Sequence, residues 1–380
     1  MDFSEVIYSP QLKWKAGERT AMQCIARSMT SKVLPLFRLT PPGDYEADLK
    51  VSLSKDAFLK KFGQHLADVR GRRPTLVDGE LLEGYLTAEA GKHPFGTLLE
   101  RARLAGACPV PVVRPASNAD YQNAIRQFLN WSELRLACIR ITLEDLESTP
   151  SRDSLIELSR LVGRRSGDCI LLIDAGPLSI EDEEGLAHLL AHQLSRLIRP
   201  SDWSGVIFSC TTFPEKHGLK DWQSSSFERK DWSLYRKIAG MRDEIPVLPI
   251  FSDYALEYPG NYKSGGFQPV AHLRYSTENR YFIFKGMSVK HQDKYGNIFR
   301  VAEQLVNSGI YKGPEFSAGD AYIYSLARDR NRTGSASSWR CCATDHHVAL
   351  TLRQLGGLLG VDLGLEHLYV EPDQLQLILP

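Results

Sequence analysis

Short runs of β-branched and aliphatic residues, bounded by turn or polar residues, recur along the chain at intervals of roughly 25–40 residues. Their apolar character is nearly continuous rather than alternating, which is typical of parallel strands covered on both faces. Eight runs are candidate strands: residues 32–39, 74–79, 108–115, 136–142, 168–176, 204–210, 245–254 and 270–276.

Amphipathic stretches with helical spacing lie between most of these runs, at residues 54–70, 118–131, 151–165 and 182–198. Several open with a capping residue: Ser54, Ser117 or Asn118, and Ser151. Eight βα units with short loops predict an α/β fold, a closed (β/α)8 TIM-like barrel. The alternative is an open doubly wound sheet, which would have fewer units and a Gly-rich first turn. No G-x-G-x-x-G or G-x-x-x-x-G-K motif occurs.

The pattern changes after the eighth run. Residues 279–286 predict a strand paired with residues 270–276, and a polar loop is expected at residues 329–338. Helical stretches follow the strand at residues 294–309, 316–328 and 345–360. We therefore predict a barrel with an N-terminal lead-in over residues 1–286 and a mainly helical extension, packed on the barrel, over residues 287–380.

Composition narrows the function classes. The chain has 380 residues, 43% of them hydrophobic, with 46 basic and 46 acidic side chains, so any anion site must be local. It lacks an apolar run long enough to span a bilayer and a signal-like start, which predicts a cytoplasmic protein without a membrane partner. The seven cysteines show no metal-ligand spacing, so no metal site is predicted, and no cofactor is indicated.

Ionisable residues end seven of the eight predicted strands. Active sites of such barrels form at the carboxyl ends of the strands. We expect these side chains to meet at one mouth, as a pocket that receives an anion and has carboxylates for proton transfer. The alternative is a salt-linked rim without chemistry. The residues are Arg38, Asp78, Arg114, Arg140, Asp174, Asp253 with Tyr254, and Arg274 with Tyr275.

A lysine-rich stretch, "YSPQLKWKAGE" at residues 8–18, precedes the first predicted strand. In an extended segment Lys13 and Lys15 share one face and Trp14 takes the other. If the stretch folds over the top of the barrel, the lysines add cations for a phosphate-like ligand. If it runs beneath, they are solvated and Trp14 plugs the barrel. Both placements stay open at this point.

His346 and His347 are adjacent near the start of a predicted helix. Neighbouring helical residues point about 100° apart, so one ion cannot readily be bound by both. One interpretation is a helix-start histidine hydrogen-bonded by Asp345. The other places one histidine at the barrel mouth beside Asp320 as a general acid or base.

The opening stretch resembles that of the phage beta protein family, which begins P-x-L-K-x-K-x-G-E. The matching residues are Pro10, Leu12, Lys13, Lys15, Gly17 and Glu18, followed by Pro35. Further short stretches resemble the family in order: "LLIDAG" with Asp174, "LRYS" with Arg274 and Tyr275, "FSAGD" with Gly319 and Asp320, and "DHHV" with His346 and His347. The chain departs at Arg38, where an acidic residue is more usual.

The resemblance implies a phage or bacterial origin, sometimes near phage-defence genes, and no settled activity. If it marks a shared site, Lys13 and Lys15 should lie on the same side as Arg274 and Lys285.

We predict that the mouth binds a phosphate-bearing, nucleotide-like anion, with hydrolase or lyase chemistry as an option. The alternative is a non-catalytic interaction subunit of a phage or anti-phage defence system, with a protein partner. The oligomeric state is left open. Candidate catalytic residues are Asp174, Asp253 and His346. Candidate ligand-binding residues are Lys13, Lys15, Arg38, Asp78, Arg114, Arg140, Arg274, Tyr275, Lys285 and Asp320.

Overall fold

Eight parallel strands form the main sheet of the protein. The computed structural model describes residue 3 and residues 5–41, 55–84, 86, 93–260, 270–330 and 332–364. With strands numbered along the chain, hydrogen-bonded neighbours follow one another in the order β1 (Gln11–Lys13), β2 (Leu36–Arg38), β3 (Pro74–Asp78), β4 (Cys108–Val113), β5 (Ala137–Ile141), β6 (Cys169–Pro177), β7 (Gly205–Thr211) and β9 (Ile250–Ser252).

The two ends of this sheet meet just before β1. Tyr8 forms parallel bridges to both Val33 and Phe251. The backbone N–H of Ser9 donates to the Phe251 carbonyl at 2.8 Å, and that of Gln11 donates to the Asp253 carbonyl at 2.7 Å. The first strand therefore pairs with the last, and the predicted (β/α)8 barrel is confirmed.

The sequence misassigned the first and last strands of this barrel. The opening stretch supplies β1, so it is part of the wall and runs neither over nor under the barrel. The run at 32–39 is consequently the second strand, and the run at 270–276 is not a barrel strand. β1 escaped detection because it has only three residues, two of them polar, and so lacks the apolar run that marks the other strands.

The remaining strands form a separate antiparallel sheet in the order β10 (Val270–Ser276), β11 (Arg280–Ser288) and β8 (Ser224–Glu228). Residues 270–276 and 279–286 thus pair as expected, but outside the barrel. In β10 the side chains of Ala271, Leu273 and Tyr275 are buried on one face, while His272 and Arg274 take the other. This alternation is typical of antiparallel sheets whose two faces differ.

Helices surround the barrel: α1 (Ala16–Cys24), α2 (Lys55–Arg70), α3 (Pro94–Leu104), α4 (Ala119–Trp131), α5 (Leu143–Ser148), α6 (Arg152–Glu157), α7 (Glu183–Leu197) and α8 (Lys230–Gly240). The predicted caps Asn118 and Ser151 are confirmed, since their side chains accept from the N–H groups of Tyr121 and Ser154. Ser54 lies outside the described residues.

Three further helices follow: α9 (Asn297–Val306), α10 (Ala318–Arg328) and α11 (Ala336–Leu359). α11 begins nine residues before the predicted start at 345, because Ser335 caps it by accepting from Ser338 N. It packs against α1 so closely that a Cβ on Gly17 would lie 2.6 Å from the Ser337 carbonyl oxygen. Within the described residues, no helix is long and apolar enough to cross a membrane.

Candidate functional site

Two groups of charged side chains meet at the carboxyl ends of the barrel strands. The first, the Arg140 cluster, consists of Asp78, Arg140, Asp174 and Tyr254. Arg140 donates from Nη1 to Asp78 at 2.6 Å and from Nη2 to Asp174 at 2.8 Å. The Tyr254 hydroxyl is 2.7 Å from both oxygens of Asp174. Burial alone would lower the pKa of Arg140, but the two carboxylates raise it, so the guanidinium stays protonated. The negative charges of Asp78 and Asp174 offset its positive charge.

Arg114 lies at the edge of the same mouth. Its Nε is 2.6 Å from Oε2 of Glu80, which follows β3 in the 3-10 turn Glu80–Leu82. Ser117 also donates to Glu80, at 3.1 Å. Arg114 therefore has its own carboxylate partner and adds no net charge to the mouth.

The second group, the Glu257 cluster, consists of Lys13, Glu257, Arg274 and Arg340. The Glu257 carboxylate receives Lys13 Nζ at 3.1 Å, Arg274 Nη1 at 3.1 Å, and Arg340 Nη1. Burial opposes ionisation of Glu257, but the three cations, Arg340 foremost, hold its pKa well below the ordinary value. Arg340 Nε also lies 4.0 Å from Glu18 Oε1. Among the described residues, three cations therefore face two carboxylates here.

Lys13 reaches this cluster from the carboxyl end of β1. Trp14 points the other way and packs on Phe37 and Phe62, with ring centroids 4.9 Å apart in each case. Lys13 and Trp14 therefore point in opposite directions, as expected, although Trp14 packs beneath a helix and does not plug the barrel. Burial lowers the pKa of Lys13 to about 7; Glu257 opposes this shift, while Arg340 and Lys15 add to it.

A narrow cleft that opens to solvent lies beside the Glu257 cluster. Arg38 borders it at the end of β2, with its guanidinium carbon 5.8 Å from the centroid of the Tyr254 ring. Among the described residues, the buried Nε of Arg38 has no hydrogen-bond partner and no carboxylate pairs with Arg38. The cleft-lining residues used below are Lys13, Glu18, Arg38, Tyr254, Glu257 and Arg340.

The two histidines lie in a separate, sealed network. His346 is 2.8 Å from Asp320 through Nδ1 and 2.8 Å from the Ser276 carbonyl through Nε2. Tyr275 stacks on His346 at 3.7 Å between ring centroids and donates to Asp320 at 2.7 Å. The side chains of His346 and Asp320 are 0% exposed. His346 does lie beside Asp320 as expected, but in the interior.

Asp253 belongs to the same network, which we define as Tyr8, Asp253, Tyr275, Ser276, Asp320, His346 and His347. Asp253 accepts from the Tyr8 hydroxyl at 2.6 Å and lies 2.9 Å from His347 Nε2. Burial opposes ionisation of Asp253, yet His347 and Tyr8 bring its pKa below the ordinary value. Burial lowers the pKa of His347 despite this carboxylate. The network joins α11 to the barrel.

The remaining ligand-binding candidates are divided by the two faces of β10. Tyr275 projects to the buried face, away from Arg274, and with Asp320 it lies in the sealed network. Tyr275 was expected at the mouth and is not there because β10 is not a barrel strand. Asp320 comes from α10 and is buried in the interior. Lys285 pairs in register with His272, which puts it on the same sheet face as Arg274. It contacts Asp221 at 3.2 Å. Lys15 occupies the N-cap position of α1.

Sequence analysis missed Glu257 and Arg340. Glu257 lies in the loop that follows β9, four residues after Asp253. Arg340 lies in the N-terminal turns of α11, which were not predicted. A search for charge in the βα loops, beyond the strand ends themselves, would have found Glu257. Among the described residues, no group of three or more His, Cys, Asp or Glu side chains is placed to hold a metal ion.

One of the comparisons with known proteins identifies the family of the chain. A family model described as "Beta protein" matches residues 8–353. No curated protein matches the chain. Among solved structures, the triosephosphate isomerase of Bartonella henselae is similar over 65% of this chain and 92% of its own, with 11% identity and a TM-score of 0.32. The barrel assignment rests on the strand order of the chain itself.

Proposed function

The chain belongs to the Beta protein family, and we propose that it binds a small phosphate-bearing anion in the cleft bordered by Lys13, Arg38 and Arg340. One observation carries the proposal: Arg38 borders the cleft beside Lys13 and Arg340, and among the described residues it has no carboxylate partner and its buried Nε has no hydrogen-bond partner. Excess buried positive charge is costly unless an anion offsets it.

Arginine and lysine have distinct roles in such a site. Arg38 and Arg340 present planar forks that suit the paired oxygens of a phosphate group. Lys13 is a point charge at the inner side of the cleft. The space in the cleft that would admit a water molecule is only about 10 Å³, and the rest is open to solvent. A phosphate group with a short organic part is therefore a better fit than a whole dinucleotide.

The catalytic part of the prediction has a weaker basis. Asp174 is the candidate closest to the cleft, which it reaches through Tyr254, and it is already held by Arg140. Asp253 and His346 have no access to solvent. We therefore assign Asp174 to holding the mouth together and Asp253 and His346 to the sealed network that joins α11 to the barrel, and keep hydrolase or lyase chemistry out of the proposal.

A second candidate function has one observation in its favour. Arg140 and Arg114 are wholly neutralised by internal carboxylates, as expected for a mouth that is a protein-binding surface of a phage or anti-phage system. The same neutralisation does not extend to the cleft, which is why anion binding is preferred here.

Thermal unfolding with inorganic phosphate, pyrophosphate and mononucleotides tests the proposal. A ligand at about 100 times its Kd stabilises the native state by about 2.7 kcal/mol, so at least one of these anions should raise the midpoint. Arg38→Ala should remove most of the increase, and the matched control Arg160→Ala, on an exposed helix surface, should keep it. Failure of every phosphate-bearing anion to raise the midpoint would favour the interaction subunit.

A further inference from the structure

We infer that Lys13 is a nucleophilic amine that forms an imine with a small aldehyde or ketone carrying a phosphate or carboxylate group, with that anionic group held by Arg38 and Arg340. The inference rests on the proposed anion site and adds a covalent step to it.

The chemistry of the side chains in the Glu257 cluster identifies which group can give up a proton. Arg274 and Arg340 both contact Glu257 Oε2, and Lys13 contacts Oε1. Arginine does not deprotonate in proteins. Lysine does so readily when buried beside other cations. Lys13 is therefore the member of the cluster that can be neutral, and only a neutral amine is a nucleophile.

The surroundings of the amine agree with this assignment. The Lys13 side chain is 10% exposed, so the ammonium form loses hydration. Burial, with Arg340 and Lys15 nearby, lowers its pKa to about 7. Near neutral pH a large fraction of the amine is thus available without a separate base.

The cleft also provides a place for the substrate. Lys13, Arg38 and Arg340 all border it, and Arg38 has a buried Nε that lacks a hydrogen-bond partner. An anionic group held between the two guanidinium groups would hold an attached carbonyl carbon near Nζ. Such positioning converts a bimolecular addition into an effectively unimolecular one.

The step balances without a co-reactant. The Nζ lone pair forms a bond to the carbonyl carbon, and the C=O π electrons move to oxygen, which gives a carbinolamine. The two amine protons pass to that oxygen, the C–O bond breaks, and water leaves as the C=N bond forms. The product is an imine between Lys13 and the substrate.

Reductive trapping tests the inference with the whole chain. The protein is incubated with glycolaldehyde phosphate, glyoxylate or uncharged glycolaldehyde in the presence of cyanoborohydride, and peptide mapping locates the secondary amine. We expect Lys13 to be modified faster than any other lysine. The phosphate-bearing aldehyde should react at least about tenfold faster than glycolaldehyde, and glyoxylate identifies whether a carboxylate suffices. Modification should reach half its maximal rate near pH 7, as the pKa of Lys13 requires.

Variants and competition separate this inference from the anion site. Lys13→Arg keeps the cation beside Glu257 and should abolish the adduct, whereas Lys15→Arg should keep it. Inorganic pyrophosphate should slow trapping. If adducts are spread over surface lysines while pyrophosphate still raises the unfolding midpoint, the imine at Lys13 is overturned and the anion site stands. Equal rates with glycolaldehyde and its phosphate would overturn the substrate class. Neither adduct nor midpoint shift would overturn both.

Discussion

The sealed network and the Glu257 cluster share four segments of chain, residues 8–13, 253–257, 274–276 and 340–347, yet their charges are balanced in different ways. The loop after β9 supplies Asp253 to the first and Glu257 to the second. α11 supplies His347 to the first and Arg340 to the second. In the sealed network, each carboxylate accepts hydrogen bonds from neutral or titratable groups and is closed to solvent. In the cluster cations outnumber carboxylates beside an open cleft.

This difference teaches which charged residues mark a site. Asp253 and His346 have ionisable side chains, as do Glu257 and Arg340, and they were predicted from the sequence to be catalytic residues. Their hydrogen bonds are nevertheless satisfied within the protein, so they have nothing left to offer a ligand. Unbalanced charge next to a cleft, rather than charge itself, distinguishes the mouth from the interior.

The largest effect on stability is expected in the sealed network. Asp253→Ala would leave His347 and the Tyr8 hydroxyl without their acceptor in the interior. Removing one partner of a buried pair costs about 3–5 kcal/mol, which urea unfolding would measure. The control Asp168→Ala, at an exposed ion pair with Arg165, should change the free energy of unfolding by less than about 0.5 kcal/mol. A loss below 1 kcal/mol, roughly, for Asp253→Ala would show that the network is not a structural link.

A pH-dependent effect comes next, from Asp345 at the edge of the network. Burial raises the pKa of this carboxyl to about 6, above the ordinary 3.8. A raised carboxyl pKa means that the group costs stability as the pH rises through this interval. Asp345→Asn keeps an oxygen to accept from Gly319 N, so it should stabilise the protein by roughly 2–3 kcal/mol more at about pH 8 than at about pH 4. If urea unfolding shows that Asp345→Asn gains the same free energy of unfolding at the two pH values, the raised pKa of Asp345 is contradicted.

The packing of α1 on α11 links the two regions. Gly17→Ala would place a Cβ 2.6 Å from the Ser337 carbonyl and 2.9 Å from Arg340 Cβ. Overpacking of this kind costs about 1–3 kcal/mol, and displacement of Arg340 should also weaken pyrophosphate binding. Gly240→Ala, at the end of α8 with open space around it, is the matched control. Unchanged unfolding and pyrophosphate titration in Gly17→Ala would show that Arg340 is not positioned by this contact.

The smallest effect on stability is expected at Arg38. Among the described residues, Arg38→Ala removes no ion pair and only the contact with the Tyr254 ring, so it should change the free energy of unfolding by less than about 1 kcal/mol. The same variant should lose pyrophosphate affinity by about tenfold or more, measured by calorimetric titration. A stability loss without an affinity loss would place Arg38 with the structural residues of the sealed network.

Much of the barrel could be predicted from sequence because parallel strands covered on both faces are continuous apolar runs. β3, β5 and β6 all follow that rule. β1 does not, since Gln11 and Lys13 make it polar and barrel closure depends on Tyr8 and Phe251, which are far apart in sequence. β10 was misplaced because its composition resembles that of a barrel strand, and only its pairing with β11 distinguishes it.

The site was harder to predict than the fold. Lys13 and Arg274 were expected on one side, and they share Glu257. Their partner could not be predicted from strand ends, since Glu257 lies in a loop and Arg340 comes from a helix more than 300 residues away from Lys13 along the chain. Side-chain burial, which separates Tyr275 from Arg274 one residue earlier, depends on tertiary packing that periodicity alone does not determine.

Calorimetric titration of pyrophosphate into Glu257→Gln tests the account most directly. Glu257 competes with an external anion for Lys13, Arg274 and Arg340. The account predicts that the folded variant, confirmed by circular dichroism, binds pyrophosphate about tenfold or more tightly than the wild type, because the internal competitor has lost its charge. Equal or weaker binding by the folded variant would contradict the claim that this cleft is an anion site.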